Sequence, residues 1–282
     1  MRPCARRRDC RDAGMGGAAV RGFLSFFIDF LISRACLVCG RELRSFDWGI
    51  APALPPHWSS WAHEFSAADF GLDVFWGLRV PAAVLCPQCW RTLEPARTSG
   101  HLARNDAAAR QVPLISPFFT NEPLLAIIRF LKFSGGKTAV PPIGWWMANA
   151  LQEHLARSSY GAASHPLLVP VPLHPSREKA RGYNQAALLA WEVAERLDLD
   201  VESRILVRAK NTKSQTKLDP SERAANVKGA FCLFRSDLAN CRNIILVDDL
   251  VTMGATVGAC IETIEKASPA SISVLSAGRA RG

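Results

Sequence analysis

The chain has 282 residues, of which 34 are Lys or Arg and 25 are Asp or Glu, giving a formal net charge of +9. With 49% hydrophobic and 21% charged residues it is neither a disordered nor a collagen-like polymer, and nine cysteines are too few for a disulfide scaffold. No stretch reaches the ~18 uninterrupted apolar residues of a membrane span. The length accommodates one large domain, or a catalytic domain with a small appendage. Basic charge gathers in two blocks: residues 1–44 carry nine basic and four acidic side chains, and residues 200–243 carry nine and five. Such blocks attract the phosphates of a nucleotide or nucleic acid, or form a solvated cationic face.

Residues 1–21 hold several arginines and glycines with no apolar period, which predicts a disordered basic tail, and Met15 offers a later start. The apolar run from Phe23 to Ile32 follows. Basic residues before it fit a signal peptide, but Asp29 interrupts the run and no small-residue cleavage site is clear. The expectation is a short amphipathic helix that packs on the protein or touches a membrane surface. Cys36-Leu-Val-Cys39 and Cys86-Pro-Gln-Cys89 come next, separated by 46 residues that include Trp48, Trp58, Trp61 and Trp76. This insert reads as a loop-rich excursion, and residues 90–112 as a linker or mobile arm. From Pro113 strands and helices alternate. A short strand is predicted over 114–119, then a helix capped by Asn121, carrying Pro123 in its first turn and ended by Gly135-Gly136. A helix over 145–156, a strand over 167–171 and a helix over 185–197 follow, the last with Ala187, Leu188, Ala190, Trp191 and Ala194 on its apolar side. Strands over 244–247 and 271–275 flank a helix over 256–266. Continuous apolar strands alternating with helices argue a parallel α/β sheet.

The densest chemistry lies in Ile244-Ile-Leu-Val-Asp248-Asp249-Leu-Val-Thr252-Met253-Gly254-Ala255-Thr256. A buried strand delivers two carboxylates, and a tight turn then opens a helix. The N–H groups of the turn and of the helix start make an anion site. Threonine hydroxyls add donors, and Gly254 admits close backbone approach. Carboxylates accept hydrogen bonds only, so they suit vicinal hydroxyls rather than the phosphate itself. Ribose 5-phosphate has this polarity. The bland alternative is a helix start after a parallel strand, with both aspartates in a solvated turn. The two Cys-x-x-Cys knuckles can complete a tetrahedral Zn²⁺ site, although their separation exceeds the usual ribbon spacing; a redox pair or unpaired thiols are the alternatives. Four protein ligands would make such zinc structural.

The segment 244–256 resembles the signature of the type I phosphoribosyltransferases: a hydrophobic strand, two acidic residues, and a Thr/Gly-rich loop for phosphoribosyl pyrophosphate. Family loops often read Thr-Thr-Gly, and here Met253 replaces the second threonine. Val169-Pro170-Val171-Pro172-Leu173-His174-Pro175 with Arg177 and Arg181-Gly182-Tyr183-Asn184-Gln185 resembles the ComF (competence protein) family within that superfamily. Thr212-x-x-Gln215 followed by Glu222-Arg223-x-x-Asn226-Val227-x-Gly229-Ala230-Phe231 does likewise. With Lys132, the resemblance covers roughly residues 113–280.

The resemblance implies a type I phosphoribosyltransferase fold, a parallel sheet flanked by helices, over residues 113–282. It also implies that residues 22–112 form an N-terminal module with zinc on Cys36, Cys39, Cys86 and Cys89. Asp248, Asp249 and Arg181 take the catalytic roles. Thr252, Met253, Gly254, Ala255 and Thr256 cradle the phosphate. Lys132, His174, Gln215 and Arg223 contact substrate, the last two from a flexible hood over residues 204–228. Mg²⁺ arrives with phosphoribosyl pyrophosphate, held mainly by substrate oxygens. Three readings compete: a phosphoribosyltransferase linked to competence and DNA uptake, a non-catalytic single-stranded-DNA-handling protein working with a translocation helicase or ATPase, and a sensor of phosphoribosyl pyrophosphate. A phosphorylated ligand and reduced Cys-x-x-Cys pairs suit the cytoplasm, with peripheral membrane contact through residues 22–32.

Overall fold

The computed structural model describes residues 35–41, 85–96, 99–102, 111–133, 136–158, 165–210, 227, 229–234 and 243–281. The basic tail, the 22–32 helix, nearly all of the Trp-rich insert, and Thr212, Gln215 and Arg223 lie outside the described residues. In chain order the elements are α1 (Pro87–Arg91), β1 (Glu94–Pro95), β2 (Gly100–Leu102), β3 (Val112–Ile115), β4 (Phe118–Phe119) and α2 (Glu122–Phe133). After a 3₁₀ turn come α3 (Val140–Arg157), β5 (Leu167–Pro170), α4 (Pro175–Arg181), α5 (Gln185–Leu197), β6 (Asp200–Val201) and β7 (Leu206–Arg208). β8 (Phe231–Leu233), β9 (Asn243–Val251), α6 (Ala255–Glu265) and β10 (Ser271–Arg279) complete the set.

The main sheet is mixed but mostly parallel. β9 lies between β10 and β5, parallel to both, and β6 continues in parallel beyond β5. β3 and β4 run in succession along the other side of β10, also parallel. β1 and β2 add antiparallel outer strands on β4 and β3. β7 and β8 form a separate antiparallel pair. Among the described residues no helix is long and apolar enough to cross a membrane.

The central strands are apolar because both faces are covered. Ile245 and Val247 enter a cluster with Leu131 of α2, Trp146 and Met147 of α3, and Leu189 and Val193 of α5. Ile244 and Leu246 enter the opposite cluster with Val257, Cys260 and Ile261 of α6. At ~25 cal/mol per Å² of apolar surface removed from water, these two layers dominate the stabilisation of the sheet.

Several boundaries differ from expectation for physical reasons. The predicted strand 114–119 is split at Ser116-Pro117, since proline has no N–H for a ladder. The Pro117 carbonyl accepts from the Ala96 amide at 2.8 Å instead. α3 starts at Val140, ahead of the prediction, because Pro141 and Pro142 sit in the first turn, where a missing N–H costs nothing. α5 has the predicted bounds, but its buried row is Ala186, Leu189, Ala190, Val193 and Ala194. Trp191, placed on the apolar side, is 55% exposed. The alanine row lets α5 approach α3 closely: the aliphatic stem of Glu192 fills the space where Gly144 lacks a Cβ.

Residues 90–112 read as a linker or mobile arm, yet their described part is built into the fold. Trp90 and Leu93 are buried, and β1 and β2 pair with the sheet. Trp90 packs on Trp146 with ring centroids 5.0 Å apart and the rings tilted, and Phe118 meets Trp146 edge-on at 5.0 Å. The cysteine segments therefore share one hydrophobic cluster with α2, α3 and α5.

Candidate functional site

β9 does not stop at Val247 but runs on to Val251, so both aspartates lie inside the strand. Side chains alternate along a strand, so the two carboxylates leave opposite faces. Asp249 points toward α2 and α4. Its Oδ2 lies 2.8 Å from Lys132 Nζ, near the end of α2, and makes no hydrogen bond among the described residues. The contact is thus a charge pair rather than an aligned hydrogen bond; Asp249 is 5% exposed at the side chain and Lys132 25%.

Arg181, the last residue of α4, faces the same carboxylate. Burial lowers the proton affinity of its guanidinium, and the Asp249 charge opposes that shift. Arg181 donates to Gln185 Oε1 and lies 5.5 Å over the ring of Phe133, which is 77% exposed. The motif 181–185 folds as a junction. Gly182 takes φ +84 to end α4, a left-handed turn that suits glycine. The Tyr183 hydroxyl donates to the Leu131 carbonyl of α2. Asn184 accepts from the Ala186 amide at 3.0 Å to cap α5, and donates to the Val171 carbonyl at 3.0 Å. His174 is occupied as the N-cap of α4: its Nδ1 accepts from the Ser176 amide at 3.2 Å.

Asp248 faces the other way, toward the loop before α6. It lines a shallow, solvent-open depression with Leu250, Thr252, Met253, Gly254 and Thr256. Gly254 adopts φ +72 and is the N-cap of α6, where no side chain supplies a cap. The backbone amides that open α6 carry the positive end of the helix dipole. Burial, and then the Asp249 carboxylate, push Asp248 from the ordinary aspartate range up to about 7, against the pull of Lys132, the Asp249 amide and Arg208. Arg208 of β7, only 5% exposed, shares these surroundings with Cys260 of α6. Burial and then the nearby Arg177 lower the proton affinity of Arg208. Burial likewise raises the Cys260 thiol well above its usual range, consistent with an apolar core role.

Asp248 and the 252–256 loop thus meet on one side of β9, and Asp249, Lys132 and Arg181 on the other. Sequence reasoning did not single out Arg208, which it counted in the flexible hood over residues 204–228; in the fold it closes β7 and is 5% exposed. It also missed Phe133, an exposed ring beneath Arg181, because the two are brought together only by the packing of α4 against the end of α2.

The four knuckle cysteines converge at the opposite end of the described chain. Their sulfurs all lie within 4.8 Å of one another, and Cys39 Sγ and Cys86 Sγ are 3.7 Å apart. A tetrahedron with metal–sulfur bonds of ~2.3 Å has edges of about 3.8 Å. A disulfide requires ~2.05 Å, and all four thiols are free. Burial would raise the Cys36 thiol, but the amides of Cys39, Cys86 and Val38 donate to its sulfur and bring it down to about 6. Burial, and then hydrogen bonding with the other three sulfurs, push Cys89 up. Donor type, donor count and spacing fit a single tetrahedral ion such as zinc.

No protein-family model matches the chain. Among curated proteins it is 30% identical over 194 residues to DNA utilization protein YhgH of Escherichia coli (strain K12), which covers 67% of this chain and 82% of that protein. It is 28% identical over 203 residues to Competence protein F of Haemophilus influenzae, with 69% and 84% covered. Over 114 residues, 39% of this chain and 42% of the relative, identity to Competence protein ComFC of Bacillus subtilis reaches 41%. The identity extends over two thirds of the chain and most of the length of the first two relatives, and with it the chain belongs to the ComF family.

Proposed function

We propose that the protein binds phosphoribosyl pyrophosphate, or a related ribose 5-phosphate, at the end of β9, and that its sheet is a type I phosphoribosyltransferase fold. One observation carries this reading: a depression lined by the Asp248 carboxyl and by the uncapped start of α6. A ligand with hydroxyls at one end and a phosphate at the other complements those two walls. The 5-phosphate takes the amides of residues 252–256 and the hydroxyls of Thr252 and Thr256. The ribose hydroxyls donate to Asp248, while Asp249, on the other side of β9, holds Lys132 where it can turn to the pyrophosphate. Arg181 and Arg177 balance the charge that builds on the leaving group.

In the transfer itself an acceptor lone pair forms a bond to ribose C1 as the C1–O bond to pyrophosphate breaks, and the acceptor gives up its proton. The transition state resembles an oxocarbenium ion, so exclusion of water limits hydrolysis. Mg²⁺ accompanies the substrate and neutralises its pyrophosphate. Zinc on Cys36, Cys39, Cys86 and Cys89 is structural, since four thiolates leave no open position. The relatives' names, which speak of competence and DNA utilization, support placing this activity in competence and DNA uptake.

Isothermal titration of phosphoribosyl pyrophosphate with Mg²⁺ tests the site. The wild type should bind, and Asp248→Asn/Asp249→Asn should lose at least about 100-fold in affinity, the scale of several charge-assisted hydrogen bonds. A wild type without affinity, or a double variant that binds as well, removes the reading. The relatives' names also favour a second reading, a DNA-handling protein without turnover. It expects salt-sensitive binding of single-stranded DNA that Asp248→Asn/Asp249→Asn does not weaken.

A further inference from the structure

The loop that starts α6 is braced from below. A Cβ placed on Gly254 would overlap Leu102 Cδ1 and lie 3.3 Å from Leu102 Cγ. Leu102 ends β2, is 7% exposed, and shares a hydrophobic cluster with Val251 and Val257, which stand on either side of the loop. Its backbone is held as well. β2 pairs with β3 from Gly100↔Leu114 to Leu102↔Val112. At Gly100 the guanidinium of Arg279, from the end of β10, takes the space of the missing side chain. Leu102 is therefore not a passing surface residue but a fixed apolar post under a backbone held in the left-handed region.

We propose that Leu102 is a positioning residue for the anion loop: it never touches the ligand, but it holds the Gly254 backbone at the φ that turns the 252–256 amides toward the depression. This rests on the reading of that loop as a phosphate site for its functional meaning, though the mechanical claim can be tested without ligand. It also assigns a reason for glycine at 254 beyond conformational freedom. The leucine and the glycine are complementary shapes, so a side chain at 254 costs both backbone strain and a collision.

The test uses the full chain. Amide hydrogen exchange over residues 252–258 is compared among the wild type, Leu102→Ala, Leu102→Met and Leu189→Ala. The last truncates a leucine buried in the other face of the sheet and controls for general destabilisation. Leu102→Ala should speed exchange in the loop about ten-fold, Leu102→Met should restore most of the protection, and Leu189→Ala should leave the loop near wild type. Unchanged loop exchange in Leu102→Ala, or equal loosening by Leu189→Ala, overturns the proposal. Melting temperatures supply an independent arm. Gly254→Ala should cost less in the Leu102→Ala background than alone, because the collision is gone and only the strain remains; strictly additive losses count against the post. Titration of phosphoribosyl pyrophosphate with Mg²⁺ on the same proteins adds the functional arm. About a ten-fold loss is expected for Leu102→Ala, with recovery in Leu102→Met. Equal affinity in a wild type and Leu102→Ala that both bind overturns the positioning role. A wild type that takes up no phosphoribosyl pyrophosphate sinks the reading of the site's function, while the exchange data still decide what Leu102 does.

Discussion

Cys86→Ser, or removal of the bound metal by a strong chelator, is expected to lower the melting temperature by about 10 °C, the size of a loss on the order of 4 kcal/mol in a domain of this length. The reasoning starts from where Cys86 sits. Its side chain is 1% exposed, between Leu85 at 0% and the short helix that carries Trp90. Without a cation, four sulfurs within 4.8 Å of one another gain nothing from their closeness, and any that ionise repel. A divalent ion converts that cost into binding energy that the unfolded chain does not share. The damage spreads beyond the module, because Cys36, Cys86, Trp90 and Leu93 belong to the same cluster as Trp146 and Leu189. Metal analysis should give one zinc per chain, and scanning calorimetry should show one coupled transition that moves with chelation. A protein free of metal that melts unchanged would exclude zinc as the organiser of this cluster.

Asp248→Asn is expected to make the protein more stable at pH 8, by roughly 1–3 kcal/mol, while changing little near pH 4. The sign follows from the direction of the shift. Asp248 titrates in the folded protein near 7, well above its ordinary value of 3.8. Between those two values the folded state keeps a proton that the unfolded chain has released. Stability from this group is therefore fully present below the ordinary value and is lost as pH rises through about 7. Asparagine carries no charge to desolvate, so the variant should lack this decline. Urea unfolding at pH 4, 6 and 8 measures it. A penalty at pH 8 equal to that at pH 4 would show that Asp248 is not held in a desolvating position. If Asp248 holds the proposed ligand, the same substitution should also weaken binding, and the wild-type residue would then be kept at a cost to stability.

The elements read most reliably from sequence were those whose neighbours leave no alternative. α5 has a capping Asn184 and a full apolar row, and its predicted and observed bounds agree. β9 was found from Ile244–Val247, but its end was misplaced because charged residues usually mark a strand's exit from the core. Here two aspartates stay in the ladder beside β10, through pairing that the sequence does not display. The parity of the strand, not the adjacency of the two carboxylates, decides what each one meets. Lys132 was proposed as a phosphate contact, and its partner Asp249 lies more than a hundred residues away, brought close only by the sheet. Likewise the four cysteines could be grouped by motif, yet their docking on α3 depends on Trp90 meeting Trp146, a match of shapes with no periodic signal.

The antiparallel pairing of β1 with β4 and of β2 with β3 has a bearing on the independence of the chain's parts. These five residues are the outer seam of a parallel sheet whose next strands, β3 and β4, are themselves short. A chain stripped of the residues before β3 would bare the outer amides and carbonyls of β3 and β4, an invitation to edge-to-edge polymerisation. The cysteine segments and the main sheet are consequently not independent modules.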